Sequence, residues 1–454
     1  MAFEVNSGLS RWQRKASVLL FLIGVFSSTQ VYLAGCIGIS EIIIFAVAPL
    51  IFLKDYNQFR SDGFLTFFAL IFFNMVGCVV ASLINNVSWF AIIKGLMALY
   101  SMFAITVVLH KLLRGNLYGI RWFLLGVVIS GVIKAFVFNP RVITSSSGAV
   151  TMGEEELETK IQHPLFWMGR LATVIQAVMC GWFFHVPIVL GYIMIFLYAL
   201  VLVNVTVSGR AAIAVTFIGI VLLTFVGKSV GSLKRFKSRF PWLLLIILSA
   251  GVLLKIGYGY LARSGTLGEK ALAKYEQQTR FGSGVIDFLR SGRAEFFIGL
   301  SAIIDRPLVG FGSVPVDKEG YVLEYISKYG TAEDYQNMID RNGYTYIDGV
   351  HLIPSHSYIV GFWLTNGISG LLLWIYVLKL IYDYYRRYIS SLPQVAPYVC
   401  FVTPWILWNM FFSPYTNRFT IPLYVTCILL CKAAYKGVRV SDDVDMGLVD
   451  RCRR

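Results

Sequence analysis

Apolar runs close to twenty residues long recur from one end of this chain to the other, separated by short polar clusters. That is the length a helix needs to cross a hydrocarbon core of about 30 Å. Strands of a membrane barrel would instead alternate apolar and polar positions over about ten residues, and that alternation is missing. The runs predict about twelve helical spans, at 16–35, 37–53, 63–83, 88–109, 118–138, 166–184, 186–206, 210–227, 241–260, 357–382, 397–412 and 419–436. The expected fold class is therefore all-α: a polytopic membrane protein forming one domain over residues 1–454, with a tail at 437–454. One segment breaks the rhythm. Residues 261–355 form a polar stretch with short helices inside it, since Tyr, Phe, Ile and Leu recur there at helical spacing. Within it, 293–304 is apolar enough to pack on the rest, and Asp305-Arg306-Pro307 stops it, because a residue preceding proline leaves helical geometry.

Charge then orients the spans. With the N-terminus inside, the inner loops collect Arg11, Arg14 and Lys15; Lys54 and Arg60; Lys111 and Arg114; Lys228, Lys234, Arg235, Lys237 and Arg239; Arg386 and Arg387; and Lys432, Lys436 and Arg439. The short outer loops hold little beyond Arg141, Lys160, Arg210 and Arg418. This asymmetry is the positive-inside rule, and it puts both termini in the cytoplasm and the long loop outside. The loop's 10 basic and 12 acidic residues nearly cancel. The net charge of +15 thus belongs to cytoplasmic loops beside anionic lipid; no basic soluble module is present to carry nucleic acid.

Composition agrees: 14% of residues are charged and 57% hydrophobic, with a mean hydropathy of +0.68, against about 25% charged residues in soluble domains. The seven cysteines, Cys36, Cys78, Cys180, Cys400, Cys427, Cys431 and Cys452, are scattered and absent from the long loop, so they imply neither a disulfide framework nor a metal site. Leu33-Ala34-Gly35-Cys36 resembles a lipoprotein cleavage box, but an apolar span follows Cys36 at once, so 16–35 is read as an uncleaved first span. Glu154, Glu155, Glu156 and Glu158 read as a solvated acidic loop, and Asp443-Val444-Asp445 as part of the solvated tail.

Chemistry has its best opportunity at Pro354-Ser355-His356-Ser357, where the long polar segment meets a long apolar helix. On an unbroken helix at 100° per residue, Gly367 falls about 20° from His356 and Gly370 about 40° to the other side. The histidine would cap a face that becomes small deeper in, where another backbone can approach. Spacing alone leaves His356 equally a surface histidine above a packing seam. Arg210 begins a span at the outer face after Ser208-Gly209, and Arg280, Arg290 and Arg293 lie in the long loop, the last two three apart and so on one helical face. Each alone reads as a solvated or snorkelling charge. Together with His356 they suit an anionic lipid headgroup, because guanidinium forks match phosphate oxygens.

The order Ser208-Gly209-Arg210, Ser291-Gly292-Arg293, Arg306-Pro307-Leu308-Val309-Gly310-Phe311-Gly312, then His356, Gly367 and Gly370, resembles the O-antigen ligase and O-antigen polymerase superfamily of bacterial surface-glycan assembly. The motifs cover roughly residues 200–385; the topology extends the resemblance over the whole chain. The sequence departs from the family at Thr365, where a glutamate often stands two residues before the first glycine. The resemblance implies a metal-independent, inverting glycosyltransferase of the membrane C type in the bacterial inner membrane, with the long loop and the site periplasmic. It implies no cofactor. Its donor would be undecaprenyl-diphosphate-linked oligosaccharide, and its acceptor another glycan or lipid A-core, alongside membrane lipids and other polysaccharide-assembly proteins. His356 would be the acceptor base, its reference pKa of about 6.5 suiting that task. Arg210, Arg293 and Arg280, with Arg290 as an additional candidate, would hold the diphosphate in place of a metal, and Gly367 and Gly370 would shape the site. A repeat-unit polymerase is the favoured reading. An O-antigen ligase and a pilin or other protein transferase are the alternatives within the family. A lipid-linked glycan flippase is the rival from another class; its requirement for mid-membrane charge is met only sparsely, by Lys94 and Arg170.

Overall fold

The computed structural model describes residues 10–27, 30–32, 36–137, 218, 219, 222, 256–265, 272, 275, 276, 279, 294–329, 352–355, 357–389, 391, 392, 395–412 and 419–452. These residues are mostly helical. In chain order the elements are α1 (Arg11–Phe26), the short strands β1 (Gln30–Tyr32) and β2 (Cys36–Gly38), α2 (Ile39–Lys54), α3 (Tyr56–Ser61), α4 (Leu65–Ile84), α5 (Trp89–Leu113) and α6 (Gly119–Val137). They continue with α7 (Ala294–Asp305), α8 (Tyr321–Tyr329), α9 (Tyr358–Asn366), α10 (Ile368–Asp383), a π-helical segment π1 (Tyr384–Tyr388), α11 (Ala396–Phe412) and α12 (Thr420–Cys452).

Three described helices are long and apolar enough to cross a membrane: Leu65–Ile84, Trp89–Leu113 and Ile368–Tyr388. Gly119–Ser130 and Tyr398–Phe411 are shorter apolar helices. The expected spans at 166–184 and 186–206 lie outside the described residues, as do most of those at 210–227 and 241–260. α4 shows why these helices suit lipid. Phe72, Phe73, Val76 and Val80 are exposed along one side, and the polar side chains of Asn74 and Ser82 are buried. In water the exposed side would be a large apolar patch; against acyl chains it is the expected surface.

α1 starts at a capping box. Ser10 Oγ accepts from the Gln13 amide at 3.2 Å, and Gln13 Oε1 accepts from the Ser10 amide at 2.9 Å, so two amides at the helix start that have no partner within the helix are satisfied. The helix lies along α6, and the two backbones meet at Gly24 and Gly126. A Cβ on Gly24 would stand 2.2 Å from the Phe123 carbonyl oxygen, and one on Gly126 would stand 2.3 Å from that of Phe21. Small residues at such a crossing let dispersion and backbone proximity replace the hydrophobic drive that lipid cannot supply.

Two expected spans need correction. The first was expected at 16–35, but α1 ends at Phe26, and β1 and β2 pair antiparallel with Val31 opposite Ile37. Apolar content continued through β-branched and small residues, and hydropathy does not separate a helix from a hairpin there. The span expected as one helix at 357–382 is two, broken at Gly367, whose φ of 64° and ψ of −150° end α9 and restart the chain as α10. The helical-wheel relation of His356 to Gly370 therefore does not hold, because it assumed an unbroken helix. The last span extends as helix to Cys452, well past the expected 436. Cys78, Cys400, Cys427 and Cys431 are buried and form no disulfide.

Candidate functional site

The break at Gly367 leaves α9 with carbonyls that α10 does not use. The segment after α7 supplies the missing donors. The Phe311 amide donates to the Leu364 carbonyl at 2.7 Å, and the Gly312 amide to the Thr365 carbonyl at 2.9 Å. In the other direction the Ile368 amide donates to the Leu308 carbonyl at 3.0 Å, and Trp363 Nε1 to the Pro307 carbonyl at 2.7 Å. Glycine is required on both sides of this seam. A Cβ on Gly367 would lie 2.1 Å from the Leu308 carbonyl oxygen, and one on Gly310 would lie 2.6 Å from the Gly367 nitrogen. The run Leu308-Val309-Gly310-Phe311-Gly312 is thus a strap laid across a broken membrane helix.

The strap is tied to α4 as well. Ser82 Oγ accepts from the Ser313 amide at 3.0 Å, and Asn85 Nδ2 donates to the Gly310 carbonyl at 3.2 Å. Arg306 donates to Asn85 Oδ1 at 2.6 Å and to Glu319 Oε1 at 2.7 Å, with its guanidinium 4.9 Å from the centre of the Phe311 ring. Arg306 is therefore a strap fastener. Asp317 caps α8 by accepting from the amides of Gly320, Tyr321 and Val322 at 2.8–3.0 Å. α7 packs on α9, with Gly299 beneath Val360 and the Pro354 carbonyl. That is the apolar helix expected at 293–304, and Asp305 ends it as expected.

A cavity of about 280 Å³ is lined from α4, α5, α9 with the residues before it, and the residue after the strap by Cys78, Gly95, Ala98, Leu99, Ser313, Ser355, Ser357, Gly361, Phe362, Thr365 and Asn366. Its lining is half small and polar. Ser357 is the N-cap of α9: its hydroxyl accepts from the Val360 amide at 3.1 Å and donates to the Met410 carbonyl at 2.6 Å, which ties the start of α9 to α11. Thr365 donates to the Gly361 carbonyl at 2.9 Å, so its hydroxyl is held by its own helix.

His356, Arg210, Arg280, Arg290 and Arg293 lie outside the described residues. What the structure brings together are the immediate neighbours of His356 in sequence, Ser355 and Ser357, which both line the cavity, and Thr365, the position where a carboxylate was expected, which lines it too. Gly367 and Gly370 are described, and another stretch of backbone approaches each closely, as expected of glycines there. Gly367 is the break itself. Gly370 lets α10 pack back on α9, since a Cβ there would stand 2.1 Å from the Phe362 carbonyl oxygen. Sequence reasoning missed Cys78, Gly95, Ala98 and Ser313, because small residues carry no signal until the fold lays them against α9. Lys94 is exposed, not a mid-membrane charge in the core.

The opposite end of α4 and α5 carries a second polar assembly that the sequence did not reveal. His110 is fully buried between the rings of Phe59 and Phe64, 4.4 and 4.6 Å away, and its Nε2 meets Asp62 Oδ2 at 2.8 Å. Arg114 Nε meets the same oxygen at 2.9 Å, and Lys111 pairs with Asp55 at 2.8 Å. Burial by itself would raise the Asp62 carboxyl; the His110 hydrogen bond and the Arg114 guanidinium outweigh it and hold the carboxyl below its ordinary value. His110 Nδ1 finds no partner among the described residues. This cluster fastens α3 to α5 where basic residues were expected to mark the cytoplasmic ends. No group of three or more metal-ligating side chains occurs among the described residues. No protein-family model, curated protein or solved structure matches the chain.

Proposed function

We propose that the chain is a transferase of undecaprenyl-diphosphate-linked glycan at the periplasmic face of a bacterial inner membrane, and that it joins repeat units as an O-antigen or exopolysaccharide polymerase. The frame for this reading is the twelve-span topology with both termini cytoplasmic and residues 261–355 outside. In this mechanism His356 removes the proton from an acceptor hydroxyl as that oxygen attacks the anomeric carbon of the donor. The bond from that carbon to the diphosphate oxygen breaks with inversion, and undecaprenyl diphosphate leaves as an anion. Arg210, Arg293 and Arg280, with Arg290 nearby in sequence, offset the charge that develops on the leaving group; each charge-assisted bond contributes about 1.5–3 kcal/mol.

The observation that carries the reading is the cavity. It is lined by the residues on either side of His356 and by Ser313, which directly follows the Arg306–Gly312 part of the motif. At about 280 Å³ it falls just below the roughly 300–1,000 Å³ of pockets that enclose drug-sized ligands. That volume suits one sugar ring or a diphosphate, with the rest of the glycan outside.

The test is His356→Ala in the purified full-length chain, assayed for transfer from lipid-linked donor. Transfer should vanish while donor binding persists; wild-type turnover would remove His356 as the base. A deletion strain decides the acceptor. Core carrying a single repeat supports the polymerase, bare core with lipid-linked polymer accumulating supports a ligase, and normal surface glycan with unmodified pilin supports a protein transferase. Activity that is lost in chelator and restored by a divalent ion would overturn the metal-free mechanism.

A further inference from the structure

A larger cavity, about 400 Å³, opens between α10, π1 and α12 and is lined by Tyr376, Lys379, Leu380, Asp383, Arg387, Tyr388, Lys432 and Lys436. Two helical stripes build it. Lys379, Asp383 and Arg387 follow one another at intervals of four on one wall, and Lys432 and Lys436 do so on the other, so each set shares a face. Tyr388 packs against Tyr435 with ring centres 5.3 Å apart and holds the walls together. The π-helical turn at Tyr384–Tyr388 supplies Arg387 and Tyr388 to the lining, and such turns recur at functional sites.

The charge balance is one-sided. Four cations face one carboxylate, and that carboxylate approaches Arg387 only to 3.8 Å. Neither Lys379, Lys432 nor Lys436 has an ion-pair partner among the described residues. Cations collected in a concavity repel one another unless something anionic enters, and Lys432 is only partly exposed. The position is also informative. Lys432 Nζ lies 3.7 Å from the Cβ position of Gly63, at the start of α4, whereas the strap and the smaller cavity lie toward the far end of the same helix. Twenty residues of helix span about 30 Å, so the two cavities belong to opposite faces of the bilayer.

We propose that this cavity binds a phosphate group, the headgroup of an anionic phospholipid or a soluble phosphate, at the face of the membrane opposite the strap. Lysines at a membrane face attract such groups with about a fivefold gain in affinity each, and two stripes at fixed separation convert that attraction into a site.

The experiment uses the purified full-length chain in neutral detergent and follows its thermal unfolding. Phosphatidylglycerol, phosphatidylcholine and inorganic pyrophosphate are titrated separately. Stabilisation by phosphatidylglycerol and not by phosphatidylcholine is expected, and the double variant Lys432→Gln/Lys436→Gln should bind about 25-fold more weakly. Lys432→Arg/Lys436→Arg should retain binding, and Lys318→Gln, beyond the other end of α4, should leave it unchanged. Stabilisation by pyrophosphate alone, with the same dependence on Lys432 and Lys436, makes the ligand a soluble phosphate. If the double variant fails to fold, Lys379→Gln tests the other wall, with about a fivefold loss expected. Binding of no anion, or equal binding by the neutralised and wild-type proteins, overturns the site.

Discussion

Gly367→Ala is the sharpest probe of the strap. The backbone at this position has φ 64° and ψ −150°, a region that is essentially glycine-only and costs another residue about 1–3 kcal/mol. The added methyl would also stand 2.1 Å from the Leu308 carbonyl oxygen and 2.6 Å from the Leu308 carbonyl carbon. Neither is the loose end of a side chain, so the strap must move. Movement breaks the bonds from Phe311 to Leu364, Gly312 to Thr365 and Ile368 to Leu308, each with a net contribution of about 0.5–1.5 kcal/mol. Losing two of the three with the backbone strain gives about 2–6 kcal/mol, a large part of the 5–15 kcal/mol typical of a whole domain. The assay pairs thermal unfolding of the full chain in detergent with limited proteolysis between 306 and 320. The expected result is a lower melting temperature together with faster cleavage in that interval. Gly437→Ala, where a Cβ meets nothing within 4 Å, should change neither. A Gly367→Ala protein that melts and resists protease like wild type would refute the role given to the break.

Asp62→Asn should destabilise the fold by about 3 kcal/mol, because Arg114 and the buried His110 lose a shared carboxylate. Since the Asp62 carboxyl is held below its ordinary value in the fold, the stability it contributes is fully present above the unfolded value of about 3.9. It is lost as pH falls through the lower folded value, so the variant's melting temperature should fall less steeply with acid there than wild type's; parallel curves would count against the cluster. Ala98→Phe should fill much of the smaller cavity, which Ala98 lines, and abolish glycan transfer while melting stays within a few degrees of wild type. Undiminished transfer would move the site elsewhere.

Much of the helical layout was legible because hydropathy reports which solvent a side chain meets. The runs at 37–53, 63–83, 88–109, 118–138 and 397–412 correspond to α2, α4, α5, α6 and α11 within a few residues. α7 was legible too, with Asp305-Arg306-Pro307 as its stop. Gly367 was not read as a break. Its flanks, Thr365-Asn366 and Ile368, are ordinary in a helix, and the donors that make a break tolerable come from residues 311 and 312, more than fifty positions earlier. The same holds for the cavity. Ser355, Ser357 and Thr365 were visible beside His356, but Cys78, Gly95 and Ala98 acquire meaning only once α4 and α5 are laid against α9. His110 was hidden for another reason: a histidine near the end of an apolar span looks like a boundary marker until Asp62, before the preceding helix, is seen to face it.

The strap also bears on the order in which the protein is made. A helix break holds carbonyls that its own chain no longer satisfies, and each, once buried, costs several kcal/mol until a donor arrives. Here the donors of Phe311 and Gly312 leave the ribosome well before α9 does, and they lie next to α4 and α5, which are older still. The partner of the break is thus synthesised before the break itself. An insertion that lengthens residues 330–350 delays only the closing of that contact, whereas moving the strap downstream of α9 would leave the open carbonyls waiting for their donors.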